Sequence, residues 1–387
     1  MPTKHTINWL NTLFLILTPI IGLFGTAFLY AKGHPIPWQT WCFTAVFFVL
    51  NGLAITAGYH RLYAHKSYRA HGVIRGLFLM IASAAFQGSV LEWCTDHRDH
   101  HRYSDSEKDL YTIKKGFWSA HILWLFRLQP QRRDYSNVAD IMQDPIARFQ
   151  HRFIIPLGIL FAFVLPMALC ALWHDVLGGL IVAGALRITL NHHTTFAINS
   201  ICHLFGKKTY SQKESAVDNW ITALVTFGEG FHNFHHRFPI DYRNGIRFYH
   251  YDPTKWLIRL LAMLGLARDL KTVSEKRILQ QKMRNTVEQA EKNLAQQSPA
   301  LRTQYETVLG QLRQSTQTIF NKLEHLEQQY RALKVAKAQQ KSASEKKCLR
   351  KQLKSYRRII KANYQELKHY LALWHELDKH WRIGAMA

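Results

Sequence analysis

The sequence predicts an all-α integral membrane protein. It would have four transmembrane helices, a cytosolic helical cap carrying a dimetal site, and a C-terminal helical hairpin of coiled-coil character. Three observations lead there. Apolar residues crowd into the first 200 positions, whereas the last 120 are polar. Histidines gather in short segments beside the apolar runs. Past residue 270, the apolar positions fall into the 3/4 spacing of a packed helical seam.

The spans come in order. Residues 7–30 are nearly uncharged and exceed the roughly 20 residues needed to cross a bilayer; Pro19, Gly22 and Gly25 are tolerated in such helices. The run is too long for a cleaved signal, so it reads as a retained anchor. Residues 31–37 make a tight connection, and Trp38 and Trp41 suit an interfacial belt at the start of a second span, 38–57. Residues 73–90 are apolar but carry Arg75 and Gln87, which suggests a helix lying at the interface. A third span, 153–173, turns at His174-Asp175 into a fourth, 176–198, which carries Arg187, Asn191, His192 and His193. Polar groups at membrane depth are costly, so these mark a function or a protein-facing surface. The 58–152 loop is rich in Lys and Arg while the short connections are nearly neutral. The positive-inside rule therefore puts that loop and both termini in the cytosol, of a bacterial inner membrane or the ER.

The domain boundary falls at 268/269. The 269–387 extension is basic, about +13 by counting side chains. Leu309, Leu312, Ile319 and Leu323, then Leu349, Leu353, Leu367 and Trp374, give two seams around a polar stretch at 337–347. Two long antiparallel helices are expected, the first capped by Ser298 with Pro299 in its first turn. The simplest role is a solvated appendage; the sharper one is docking to an anionic membrane face or an acidic partner. The whole chain has a formal net charge of +24, which favours anionic partners. Five cysteines without a CxxC pair indicate a reducing compartment.

The chemistry lies in the histidines. His97-Arg98-Asp99-His100-His101 and His232-Asn233-Phe234-His235-His236 share His-x-x-His-His spacing, and positions i, i+3 and i+4 share a helix face. His60 and His65 follow the second span at a spacing that no single ideal α-helical face accommodates; a bend or a site shared between two metals would reconcile them. His203 follows the fourth span, one turn after Asn199. Nine histidines are too many for one ion and fit two, with Asn199 holding a water. A nitrogen donor set disfavours Mg, Ca and Mn and permits Fe, Zn and Cu.

The segments HRLYAH (60–65), HRDHH (97–101), NSICH (199–203) and HNFHHRFPIDYR (232–243) resemble the membrane fatty-acid desaturases, most closely the acyl-CoA Δ9, stearoyl-CoA type. The resemblance covers about residues 10–265. It implies a di-iron site held by His60, His65, His97, His100, His101, His203, His232, His235 and His236, with Asn199 acting through water; imidazole sites also accept Zn. It implies O2-dependent desaturation of a fatty acyl-CoA, or of an acyl chain on another carrier, in a kinked tunnel. Gln87, Trp93 and Thr195 match the kink, Phe48 and Gly52 the tunnel end, and Asp96 a headgroup contact; Arg127 is a further phosphate contact. Thr95 and Gly88 depart from the family's Arg and Asn, which bears on the carrier. No His-Pro-Gly-Gly haem element is present, so electrons would come from a separate ferredoxin or cytochrome b5. Membrane lipid is the other expected partner, and nucleic acid is not expected. The alternatives are a hydroxylase on the same scaffold, a metal transporter and a membrane scaffold.

Overall fold

The computed structural model describes residues 6–127 and 134–384, the last three of these as backbone only. The chain divides into two compact units, 1–208 with 213–273, and 209–212 with 274–387.

In the first unit, three helices among the described residues are long and apolar enough to cross a membrane. They are α1 (Trp9–Ala31), α2 (Trp38–Ala64) and a third, Ile154–Trp173. The expected second span thus continues past residue 57. Its last part, Ala54–Ala64, is a wide π-helix, closed by the His65 amide donating to the His60 carbonyl at 3.1 Å. An i to i+5 bond of this kind sets residues five apart one above the other. Residues 73–90 do not form one helix. Instead α3 (Gly72–Ser83) stops at a bend in which Phe86 (φ 50°) and Gly88 (φ 84°) are left-handed, and α4 (Val90–Tyr103) restarts at a capping box. In that box the Ser89 hydroxyl accepts from the Glu92 amide, and Glu92 accepts from the Ser89 amide. The Ile154–Trp173 helix becomes α5 here, and α6 covers residues 176–203.

The α6 helix, the expected fourth span, is interrupted by polar residues and is not among those three. Those residues face protein. Arg187 is fully buried, donates to the Asn51 side chain and the Ala84 carbonyl at 3.0 Å each, and lies over the Phe47 ring. His192 bonds the Ala85 carbonyl at 2.7 Å. Small residues let the helices close up: a Cβ on Gly22 of α1 would stand 2.7 Å from the Leu186 backbone. The further helices of the unit include α7 (His232–Arg237) and α8 (Pro253–Met263). A two-residue antiparallel pairing joins Arg69–Ala70 to Ala267–Arg268.

The second unit has three helices where the seam predicts two: α9 (Glu275–Leu294), α10 (Pro299–Gln339) and α11 (Ala343–Gly384). Ser298 caps α10 as expected. The missed α9 is largely polar, but its Leu279, Met283, Ala290 and Leu294 complete a core with Leu309, Leu312, Leu323, Leu367, Trp374 and Trp381. The α10 and α11 helices run antiparallel, as the Tyr305–Trp381 ring contact and the bond from the Tyr364 hydroxyl to Glu327 show.

Candidate metal centre

Four segments deliver the nine histidines, and the fold sorts them into two groups: His60, His65, His97, His101 and His235 in one, and His100, His203, His232 and His236 in the other. Within each group, one nitrogen per ring lies within 4.8 Å of all the others. The π-helical end of α2 explains the first pair, bringing the His60 and His65 rings to 4.8 Å. Each His-x-x-His-His helix is shared between the groups. On α4, His97 and His101 go to one and His100 to the other; on α7, His232 and His236 go to one and His235 to the other. Positions i and i+4 are about 40° apart around a helix, whereas i+3 lies about 60° to the opposite side, so a single helix can feed two centres.

The inward nitrogens crowd. Nε2 separations are 2.8 Å for His65–His97, 2.9 Å for His101–His235, 3.0 Å for His60–His235 and His232–His236, 3.1 Å for His203–His232 and 3.3 Å for His100–His236. Neighbouring donors around an ion bound at about 2.1 Å lie roughly 3.0–3.4 Å apart, so the crowding has the scale of a ligand polyhedron. Without a shared proton or cation, lone pairs at such distances repel.

The outward nitrogens fix the tautomers. His60 Nδ1 donates to Glu229 at 2.9 Å, His100 Nδ1 to Asp109 at 3.0 Å, and His203 Nδ1 to the Ser215 hydroxyl at 2.6 Å, which itself donates to Asp105. Each such bond leaves Nε2 unprotonated and aimed inward. Glu229 is held in turn by Arg61 and Asn244 at 2.8 and 2.7 Å. Burial, reinforced by neighbouring imidazole charge, holds His65, His97, His101, His203, His232, His235 and His236 well below the ordinary histidine range. They are therefore neutral at physiological pH, which is the ligating form. The donor set, tautomers and spacing all fit a pair of transition-metal ions.

A cavity of about 740 Å³ opens beside the two groups, with His60, His97, His100 and His232 in its wall. Of the residues expected to meet substrate, Gly52, Gln87, Trp93, Asp96 and Thr195 line it, as does Asn199. Gln87 donates to the Thr195 hydroxyl at 3.0 Å, and the Trp93 ring stacks on His97 at 4.8 Å. Two others stand off the wall. Phe48 lies behind the ring of Phe227, with centroids 5.7 Å apart, and Arg127 is exposed in a backbone bridge with Ile7. The space beside Gly52 is filled: a Cβ there would lie 2.0 Å from the Phe227 ring.

Sequence reasoning did not single out Phe227, Glu229, Asp109, Asp105 or Ser215. The carboxylates had a signal, since Asp105 and Asp109 lie just past the first His-x-x-His-His and Glu229 lies three residues before the second. Phe227 had none, because its left-handed backbone (φ 57°) is what turns its ring onto Gly52.

The fatty acid desaturase family profile matches residues 33–268. The chain is similar to a probable acyl-CoA desaturase of Schizosaccharomyces pombe, 43% identical over 72% of this chain and 58% of the relative. It is similar also to acyl-CoA desaturase 1 of Saccharomyces cerevisiae, 42% identical over 70% and 53%. It therefore spans a little over half the length of these two fungal relatives. A Caenorhabditis elegans Delta(9)-fatty-acid desaturase, fat-7, is 38% identical over 76% of this chain and 87% of the relative. With its histidine segments inside the matched region, this membrane protein belongs to the fatty acid desaturase family.

Proposed function

We propose that the chain desaturates a long saturated fatty acyl-CoA at the Δ9 position, using O2 and two electrons from a separate donor such as a ferredoxin or cytochrome b5. The observation that carries this reading is the single cavity whose wall includes ligands of both histidine groups at one place and apolar side chains such as Ile55, Ile159 and Phe163 elsewhere. Two iron ions, one in each group and Asn199 contributing through water, would supply the O2 chemistry that side chains lack.

The chain's own residues supply position. Trp93, stacked on His97 and edge-on to His60 at 5.9 Å, walls the route past the ligands, so an acyl chain must run alongside it. The Gln87–Thr195 bond ties α6 to the bend before α4, and so fixes the width of the passage. Phe227, buttressed by Phe48 and seated on Gly52, closes one end. Asp96 contacts the headgroup, and Arg127 is the more distant candidate for its phosphates.

The membrane arrangement follows from the ligands. His60 and His203 lie at the C-terminal ends of α2 and α6, and both join the ligand groups. The two-residue turn before α6 reverses it relative to α5. Four crossings, with the histidine segments and both termini in the cytosol, satisfy both constraints, and α6 can cross because its polar groups are bonded to neighbouring helices. The test is expression with a competent donor in a host lacking unsaturated fatty acids, followed by mass spectrometry of its lipids. A monoene two hydrogens lighter than its precursor is expected. A product heavier by one oxygen would identify a hydroxylase, and an unchanged profile from metal-loaded protein would overturn the reading.

A further inference from the structure

The second unit holds a surface that the chemistry above does not use. In α11, Lys346, Arg350, Lys354 and Arg358 repeat every four residues, and Lys347, Lys351, Arg357 and Lys361 lie beside them. At 100° per residue, these eight side chains occupy a sector of about 140°, and every position of residues 346–361 within that sector is Lys or Arg. The other eight positions carry no charge. Leu349, Leu353, Tyr356 and Ile360 among them turn toward the seam with α10. Seven of the eight cations are exposed and Lys346 is half-buried. Among the described residues none of them is in an ion pair, although the same unit pairs Lys368 with Glu275 and Arg313 with Glu291. The α9 core contacts end near Leu323 and Leu367, so this face belongs to the part of the hairpin beyond the three-helix core.

We propose that this face of α11 docks onto anionic lipid headgroups. The cationic strip is straight and roughly 22 Å long, which suits a planar array of negative charge. None of its eight side chains is aromatic or apolar and five are lysine, the one adjoining aromatic being Tyr330 of α10, over which Arg357 lies, whereas protein interfaces are enriched in aromatics and depleted in lysine. An anionic bilayer is also the one extended anionic surface that a membrane-spanning chain always meets. The inference is independent of the reaction in the first unit.

The test uses the full-length protein in zwitterionic nanodiscs, mixed with vesicles of phosphatidylcholine alone or with about a third phosphatidylglycerol, and separated by flotation. Co-flotation is expected only with phosphatidylglycerol, and is lost at about 0.5 M NaCl. The triple variant Arg350→Glu, Lys354→Glu, Arg358→Glu should bind on the order of a hundredfold more weakly, with desaturation and helix content unchanged. Absence of co-flotation, or co-flotation that survives the triple variant, would overturn the proposal. So would displacement of the vesicles by RNA or by an acidic electron carrier at concentrations where the vesicles alone remain bound, since that would make a macromolecule the preferred occupant.

Discussion

The two units hold themselves together in opposite ways. The first packs Tyr, Leu, Ile and Phe side chains together with alanines such as Ala54, Ala57, Ala82 and Ala85 around buried polar groups: seven of the nine site imidazoles, Arg187, and the Arg61–Glu229–Asp252 cluster. The second has a core of Leu, Ile, Phe and Trp on three helices. Buried polar networks are costly unless every member is satisfied, while apolar seams gain from area alone and tolerate local loss. The first core is therefore expected to fail sharply and chemically, the second gradually and by packing.

The largest effect should come from a ligand. His235 touches both His60 and His101, at 3.0 and 2.9 Å. His235→Ala should empty one of the two metal groups, halve the metal measured by elemental analysis, and abolish desaturation. Retention of both metals would break the contrast, because the first core would then be no more demanding than the second. In the second unit, Leu323 is wholly buried. Leu323→Ala should lower the stability of that unit by about 2–5 kcal/mol, read as an earlier melting of helix signal, with metal content unchanged.

An intermediate effect is expected from the groups behind the ligands. Asp109→Asn leaves His100 its neighbour but weakens the carboxylate that sets its tautomer. Metal affinity should fall roughly 10- to 100-fold with the fold intact, as measured by competition with a chelator. Acid should act on the same network. The seven depressed histidines are neutral in the folded protein but take protons in the unfolded chain below its ordinary pKa of about 6.5. The unfolded state thus binds more protons, and metal-free stability is full above that pH and declines as pH falls below it. Thermal melts of metal-free protein between pH 7.5 and 5 should show the first unit losing stability; a flat profile would mean that its imidazoles are not buried as neutral bases.

Legibility followed the same division. Spans and seams are periodic, so α1, α2, α5 and the α10–α11 pair were readable from apolar spacing. The histidines that gather into the two groups were readable because their spacing is local. What escaped were features set by context. The π-helix that makes a five-residue spacing work has no composition of its own. The splitting of each His-x-x-His-His between two centres depends on what faces the helix. The α9 helix is polar enough to pass for linker, and its core positions become visible only once α11 lies beside it.

The smallest effects offer the tightest form of the comparison, because the same cap occurs in both units. Ser298 opens α10 by accepting from the Leu301 amide at 3.4 Å, exposed to solvent and remote from any ligand. Ser298→Ala should cost about 0.5–1 kcal/mol, confined to that helix end, since water can replace a long, exposed bond. Ser89 opens α4 from a buried position and also bonds His151 at 2.7 Å, and its helix carries His97, His100 and His101. Ser89→Ala removes two bonds where no water is at hand, so a loss of about 1–2 kcal/mol is expected. It also frees the first turn of the helix that aims three ligands, so metal affinity should fall with it. Ser89→Thr, which keeps the hydroxyl, should restore the affinity even where the added methyl group lowers the melting temperature. Equal costs for the two alanine variants, with metal affinity untouched, would show that the ligand helix is held by its packing alone.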